Sequence, residues 1–115
     1  MKLEILWDAA GGDGGFARQL ADLFCVQIVA QLALLRAALT AGSAPRVQSI
    51  AHHCKGSSHT CGAVTLAALF GELARLGQAG QLEQAPPVLA EIEREFARVQ
   101  AVFSALPERL PGAPA

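Results

Sequence analysis

The chain has 115 residues, enough for one domain built around a single core. Hydrophobic residues make up 52% of it and charged residues 17%, a composition that excludes a disordered tail. Nine basic and ten acidic side chains give a net charge of −1, so no broad positive field predicts binding to nucleic acid or to an anionic membrane.

The sequence also gives expectations about compartment. The longest nearly uncharged stretch, 23–35, contains two glutamines and is shorter than the roughly 20 residues that span a bilayer. The first residues include one lysine followed by an acidic residue, unlike a secretory signal. Three cysteines are a sparse and odd number for a disulfide scaffold. We therefore expect a soluble, cytoplasmic protein whose cysteines are small buried apolar side chains.

The first part of the chain predicts a short helix followed by a long one. A short helix is expected at 3–10, before Gly11-Gly12. Asp13 is a plausible N-cap for a long helix that stops near Gly42. The apolar side of that helix is predicted to consist of Phe16, Leu20, Leu23, Phe24, Ile28, Leu35 and Leu39.

Three further helices are predicted after residue 43. Pro45 suits the first turn of the next helix, with Ser43 as a possible cap. Its core stripe is centred near Cys54 and extends to a boundary around Cys61-Gly62. The following helix ends between 77 and 80. Pro86-Pro87 opens the last helix, in which apolar residues recur at alternating steps of three and four, as in the seam of a bundle.

These patterns predict an all-α fold. Four long amphipathic segments with short connections indicate an antiparallel up-down-up-down four-helix bundle, with a short additional N-terminal helix at one end. We assign 1–106 to the bundle and 107–115, which holds three prolines and one glycine, to a flexible tail or linker stub. We expect the protein to be a monomer.

All three histidines lie within eight positions of the third predicted helix. At about 100° per residue, His52 points about 150° away from the core stripe, His59 about 130° away, and Gly56 almost diametrically away. Lys55 lies on the flank, one turn from His52. A glycine inside a helix costs about 1 kcal/mol relative to alanine. One reason for Gly56 would be that another surface must approach His52 closely.

This pairing of residues suits phosphoryl chemistry. A neutral imidazole is a competent nucleophile, and its phosphoryl adduct carries nearly two negative charges. A lysine one turn away would stabilise that adduct. The run His52-His53-Cys54-Lys55-Gly56-Ser57-Ser58, followed by Gly62-Ala63, resembles the H-x-x-K-G-S/A-S/A signature of histidine phosphotransfer (HPt) domains. The resemblance extends over roughly residues 3–105.

The resemblance implies a four-helix phosphorelay intermediate rather than a stand-alone catalyst. His52 would accept a phosphoryl group from the aspartyl phosphate of a response-regulator receiver domain and pass it to another receiver. Lys55 would stabilise the phosphate, and Gly56 would permit the receiver's approach. Ser57, His59 and His53 would lie in the docking region. The expected partners are receiver domains and a hybrid sensor histidine kinase. The chain would need no cofactor of its own, because the receiver would bring Mg²⁺.

Two positions depart from the pattern of this family. The family often places an acidic or amide side chain across from the phosphorylated histidine, where it orients the ring. Counting from Gly62, that position is Ala74 here, so the orienting hydrogen bond would come from elsewhere or be missing. Cys54 stands where an aliphatic residue is usual, and this is a conservative exchange in the core.

Two other functions remain open from the sequence. One is an interaction module that docks a kinase or receiver without carrying phosphate, which the alanine at position 74 keeps possible. The other is a structural zinc site built from His52, His53, Cys54, His59 and Cys61. Helical geometry argues against zinc, because His52 and Cys54 point about 160° apart. His52 and His59 share a face, but they are two turns apart, near 10 Å.

Overall fold

The computed structural model describes residues 1–107, which form five α-helices and one short 3₁₀ turn, with no strand among them. The 3₁₀ turn at Leu82–Gln84 leads into the last helix. The predicted tail at 107–115 lies, beyond Pro107, outside the described residues. In chain order the helices are α1 (Leu3–Ala9), α2 (Gly14–Thr40), α3 (Ala44–Thr60), α4 (Val64–Ala79) and α5 (Ala85–Ser104).

The long helices form the bundle that the sequence predicts. Helix α2 packs against α3, α3 against α4, and α4 against α5, while α5 returns to contact α2. Because each long helix follows its predecessor after a short connection, neighbours in the bundle run antiparallel. The contact between α3 and α4 is the most extensive. Helix α1 packs on α2 and α3. An up-down-up-down four-helix bundle with an extra N-terminal helix is therefore confirmed.

Aromatic packing joins the first and last long helices. The ring of Phe24 on α2 meets those of Phe96 and Phe103 on α5 edge to face, with centroids 6.5 Å and 6.0 Å apart. Such pairs contribute about 0.5–1.5 kcal/mol beyond the area they bury. At the same end, Nη2 of Arg18 donates to the carbonyl oxygen of Leu106 at 3.1 Å. These contacts hold the end of α5 against the start of α2.

The caps agree only in part with the sequence predictions. Asp13 is the N-cap of α2, and its Oδ1 accepts a hydrogen bond from the backbone N–H of Phe16 at 3.1 Å. Ser43 is the N-cap residue of α3, as predicted, but its side chain makes no capping hydrogen bond. Pro45 lies in the first turn instead, where its fixed φ suits a helix and its missing N–H costs nothing.

The turn between α3 and α4 is locked to the N-terminus of the chain. Gly62 has a φ of 79°, and a side chain there would overlap the carbonyl group of Lys2. The backbone N–H of Lys2 donates to the carbonyl oxygen of Gly62 at 2.9 Å. Glycine is required at this position by both the backbone conformation and the close approach. The contact places α1 at the same end of the bundle as the end of α3.

The apolar surface of α2 is wider than its buried stripe. Phe24, Ile28 and Leu35 are buried, but Phe16 is 46% exposed and Leu23 is 56% exposed, so the predicted apolar side is not buried as a whole. They lie about 80–100° from Phe24 around the helix and therefore miss the narrow stripe that faces the core. By length and composition alone α2 could cross a membrane, a test that the core helix of a soluble protein also passes.

Candidate functional site

Helix α3 divides into a buried stripe and an open face. Val47, Ala51, Cys54 and Ser58 are fully buried against the rest of the bundle. His52, Gly56 and His59 are exposed on the opposite side, as helical spacing predicts. The structure thus brings these three residues together on one surface of α3. The buried stripe packs this helix into the bundle, and the imidazole of His52 projects from the opposite face.

The space in front of Gly56 is open. No described atom outside its own helix lies within 4 Å of a Cβ added at this glycine. Packing among residues 1–107 therefore gives no reason for a glycine at this exposed helical position, where alanine would favour the helix by about 1 kcal/mol. Because Gly56 lies one turn beyond His52, a second molecule can approach the imidazole here without meeting a side chain.

Lys55 lies between the histidine face and α4. A Cβ added at Gly71 of α4 would be 3.5 Å from Cδ of Lys55 and 3.9 Å from its Nζ. The stem of the lysine therefore crosses α4 at a residue without a side chain. Its ammonium group remains exposed, one helical turn from His52, where it can meet an anion bound at the imidazole.

The register between α3 and α4 identifies the residue across from His52. A Cβ at Gly77 would be 2.8 Å from the backbone nitrogen of Gln48, so the helices approach closely there. About one and a half turns nearer the start of α4, the side chain of Lys55 on α3 lies against Gly71. His52, between these two contacts, therefore faces the part of α4 around Ala74. This agrees with the position counted from the sequence, and Ala74 offers no hydrogen-bonding side chain.

The acidic residue of α4 has another partner. Glu72 accepts two hydrogen bonds from Arg75, at 2.6 Å and 3.0 Å. This pairing lowers the pKa of the Glu72 carboxyl and raises the pKa of the Arg75 guanidinium, in both cases chiefly through the hydrogen bond. Among residues 1–107, no group makes a hydrogen bond with the imidazole of His52. No hydrogen bond among these residues therefore fixes the orientation of the ring.

The neighbouring serines differ from one another. The hydroxyl of Ser57 is half-buried and donates to the carbonyl oxygen of Cys54 at 3.2 Å. It is thus turned back towards its own helix. The hydroxyl of Ser58 is fully buried and has no hydrogen-bond partner among the described residues. His53 is exposed on the side of α3 that faces α2.

A shallow apolar groove runs between α2 and α3 beside the histidine face. Leu20 and Leu23 contribute its α2 side, with Gln27, while Ser57 and Thr60 contribute its α3 side. The sequence analysis placed both leucines on the apolar side of α2 and did not predict this groove. It also missed Gly71, for which the available signal was a glycine inside the helical pattern of α4.

Comparison with known proteins assigns the family. The Hpt domain family matches residues 19–102 of this chain. The crystal structure of histidine-containing phosphotransfer protein B from Pseudomonas aeruginosa PAO1 superposes with a TM-score of 0.83 at 34% sequence identity, over 89% of each chain. None of the curated protein sequences is similar enough to match. The chain belongs to the Hpt domain family. It is therefore a histidine phosphotransfer domain of the phosphorelay type, a class that interacts with receiver domains and kinases.

The thiols of Cys54 and Cys61 are buried and that of Cys25 is half-buried in this Hpt domain. Burial raises the pKa of the Cys54 thiol to about 12 and, together with nearby Cys25, that of Cys61 to about 11. Burial, with the charge of Asp22, also raises the pKa of Cys25. The thiolate forms are thus disfavoured in the free chain at neutral pH. Among residues 1–107, no three His, Cys, Asp or Glu side chains lie where they could hold one metal ion.

Proposed function

We propose that His52 of this Hpt domain is the phosphorylated residue, accepting a phosphoryl group from the aspartyl phosphate of one receiver domain and passing it to another. The observation that carries this proposal is the combination of an exposed imidazole with open space at Gly56 and a lysine on the flank. Neither His53 nor His59 has a lysine three residues and a glycine four residues further along the helix.

The transfer is a displacement at phosphorus. An unprotonated nitrogen of the His52 ring attacks the phosphorus, the P–N bond forms, and the bond from phosphorus to the carboxylate oxygen breaks. The aspartate leaves as a carboxylate, and attack by an aspartate of the next receiver reverses these events. Lys55 offsets the charge of the phosphoryl group on the imidazole. The receiver would bring the Mg²⁺ that the transfer needs.

The receiver would dock on the histidine face and on the groove between α2 and α3. This groove offers Leu20 and Leu23 as apolar contacts next to the polar surface of His53 and His59, and Phe16 is exposed one helical turn before Leu20. Apolar residues surrounded by polar ones are the usual composition of a protein interface. A hybrid sensor kinase with a receiver domain would bind the same surface, in the cytoplasm, where such receivers act.

Transfer of label from a phosphorylated receiver tests the assignment of His52. The wild-type chain and the variants His53→Gln and His59→Gln should become labelled, whereas His52→Gln should not. The label should be labile in acid and stable in base, as expected for a phosphoramidate. Circular dichroism should show that all four proteins are equally helical. Labelling of a folded His52→Gln variant would refute the proposal.

A chelator experiment tests the absence of a resident metal. We expect the helical signal and the melting temperature of the free protein to be unchanged by a chelator, because burial keeps Cys54 and Cys61 protonated. If the chelator reduced the helical signal and lowered the melting temperature, and zinc were recovered from the purified protein, the structural zinc site would be supported instead. The Mg²⁺ requirement of the transfer assay is a separate matter, since the receiver supplies that ion.

The Ala74 position favours a second candidate, a docking module that binds receivers without carrying phosphate. No described side chain orients the His52 ring, and the carboxylate of Glu72 is paired with Arg75. The labelling experiment separates the two functions. A chain that binds a receiver but takes up no label under any ratio of the two proteins would be a docking module.

A further inference from the structure

Helix α2 exposes apolar side chains on two different sides. Leu23, which lines the groove described above, and Leu34 are on the side that faces α3. Val26, Val29 and Ala33 lie on the outer side, about 140–180° from the core residue Phe24 at about 100° per residue. Val26 is 68% exposed and Val29 is 55% exposed.

The outer residues have the spacing of a helix–helix seam. Asp22, Val26, Val29, Ala33 and Arg36 follow one another in steps of four, three, four and three, the pattern with which one helix packs along another. These five residues are called the α2 seam here. Val29 and Arg36 also line a shallow groove with Glu93 of α5, so the seam leans towards α5 and away from α3. No described helix covers it.

The charges at the two ends of the α2 seam are opposite and symmetrically placed. Asp22 lies seven residues before Val29, and Arg36 lies seven residues after it. Arg36 contacts Glu93 at 3.0 Å, but its side chain remains 52% exposed and Asp22 is also exposed. The three positions between them are uncharged. A partner helix that fits this surface therefore needs an apolar middle, a positive end and a negative end.

A second copy of the same helix in antiparallel orientation has these properties. A two-fold axis near Val29 places the Asp22 end of one seam opposite the Arg36 end of the other, and places the valines against one another. A parallel copy would place like charges opposite each other at both ends. Surfaces that are complementary to themselves about a two-fold axis form the commonest type of homodimer.

We propose that a second copy of this chain docks on the α2 seam in antiparallel orientation, across a two-fold axis near Val29. The α2 seam spans about 21 Å at 1.5 Å per residue, so a single pair of helices meets and the interface lies at the small, weak end of specific contacts. The dimer forms through α2, while His52 on α3 stays open. The seam thus favours a weak dimer over the monomer expected from the sequence.

Sedimentation equilibrium up to about 1 mM protein tests the dimer. The average mass of the wild-type chain should rise with concentration from 12.0 kDa towards twice that value. Val29→Glu should stay monomeric over the same range, because it places carboxylates against each other at the axis. Leu34→Glu is the matched control: it also adds a charge to an exposed apolar position of α2, but on the side facing α3, and it should dimerise like wild type.

Charge reversal tests the orientation. Asp22→Lys and Arg36→Glu should each weaken the dimer about tenfold, since each opposes like charges at both ends of the antiparallel pair. The double variant should regain the wild-type dimerisation constant. If both single variants and the double variant dimerise equally weakly, or if reversal has no effect, the antiparallel seam is wrong.

Two further results would refute the α2 dimer. A wild-type chain that stays monomeric up to about 1 mM refutes the proposal. So does a chain that floats with vesicles of phosphatidylcholine and phosphatidylglycerol in a Val29-dependent way, because lipid would then be the partner of the seam. Phosphoryl transfer to His52 should be equal in wild type and Val29→Glu, so the dimer can fail while the proposed function holds.

Discussion

Lys55 of α3 crosses its neighbouring helix at Gly71 of α4, where an added Cβ would be 3.5 Å from Cδ of the lysine. The glycine leaves room for the aliphatic stem, and the stem in turn keeps the ammonium group between His52 and α4. The charge next to the imidazole is therefore set by residues of two helices. Substitutions at Gly71 should act on the phosphoryl group through Lys55.

We expect Gly71→Glu to slow phosphoryl transfer to His52 about fivefold. The new carboxylate would pair with the ammonium group of Lys55 and repel the incoming phosphate, and an exposed pair of this kind is worth up to about 1 kcal/mol. Gly71→Gln is the matched control, since it has the same shape without the charge. Rapid-quench measurement of labelling by a phosphorylated receiver gives both rates.

The salt dependence of these rates provides a second measurement. Because the pair is exposed, its effect should decrease at high ionic strength, and the Glu and Gln variants should approach each other. Equal rates for Gly71→Glu and Gly71→Gln at low salt would mean that Lys55 does not act on the phosphate from this position.

A carboxylate at position 74 should orient the imidazole. The register of α3 and α4 places Ala74 across from His52, so Ala74→Glu would offer an acceptor to one ring N–H and favour a single tautomer. We expect nitrogen NMR to show one dominant tautomer in the variant, with transfer several-fold faster than in wild type. Ala74→Leu, which adds bulk without an acceptor, should not produce either change. An unaltered tautomer ratio in Ala74→Glu would contradict the register.

Much of this architecture could be predicted because local signals agree with the packing. Proline at the start of α3, glycine at its end and apolar residues at helical spacing all specify the same helix. The exposed face with His52 and Gly56 follows from that spacing alone, once the position of the core stripe is known. The site is therefore predictable to the extent that it belongs to one helix.

The parts that sequence missed depend on contacts between helices. Phe16 and Leu23 have large apolar side chains like those of core residues. The neighbouring helices cover only one stripe of α2, so these two side chains are left exposed. Lys55 and Gly71 are 16 positions apart in sequence, and only the register of α3 against α4 brings them together. Ser43 has the right residue type and position for a cap, yet it makes no capping bond.

The buried thiol of Cys54 should make the fold sensitive to alkali. Burial raises its pKa to about 12, above the ordinary value of 9.0 that it regains on unfolding. Between these values the unfolded chain binds fewer protons than the native one, so the free energy of unfolding falls as the pH rises. The protonated Cys54 thiol makes its full contribution to the free energy of unfolding below about pH 9. Above that pH the contribution decreases by at most about 1.4 kcal/mol per pH unit.

Urea denaturation of wild type and Cys54→Ala at several pH values measures this slope. The variant should be less stable near neutral pH, because a small cavity replaces the sulfur. Its stability should then decline less steeply above about pH 9, with the remaining decline due in part to Cys61. Parallel curves for the two proteins would show that the Cys54 thiol does not ionise differently in the folded state.

Removing the hydroxyl of Ser58 should stabilise the bundle. This group is fully buried without a partner among the described residues, and an unsatisfied buried polar group costs about 1–3 kcal/mol. We expect Ser58→Ala to raise the free energy of unfolding by at least about 1 kcal/mol. Ser57→Ala is the control, since it has the same helix propensity gain but loses a hydrogen bond to Cys54. A smaller gain for Ser58→Ala than for Ser57→Ala would contradict the burial argument.

Substitutions at Gly56 should separate docking from folding. The space in front of this residue is open in the free protein, so Gly56→Ala should raise the free energy of unfolding by up to about 1 kcal/mol, and Gly56→Gln should fold at least as well as wild type. In the complex the same glutamine would lie between His52 and the phosphorylated aspartate. Displacement of the reacting groups by about 1 Å can reduce the rate about 100-fold.

We therefore expect transfer to slow in the order Gly, Ala, Gln at position 56, while the melting temperature does not fall. Ala97→Gln, at an exposed position of α5 away from the histidine face, is the matched control and should transfer at the wild-type rate. The Gly56 substitutions should slow the chemical step and not only weaken binding. Their transfer rates should therefore stay below the wild-type rate at saturating concentrations of the receiver. Equal rates for glycine, alanine and glutamine would show that no partner approaches this face closely, and His52 would lose its main physical support as the phosphoryl acceptor.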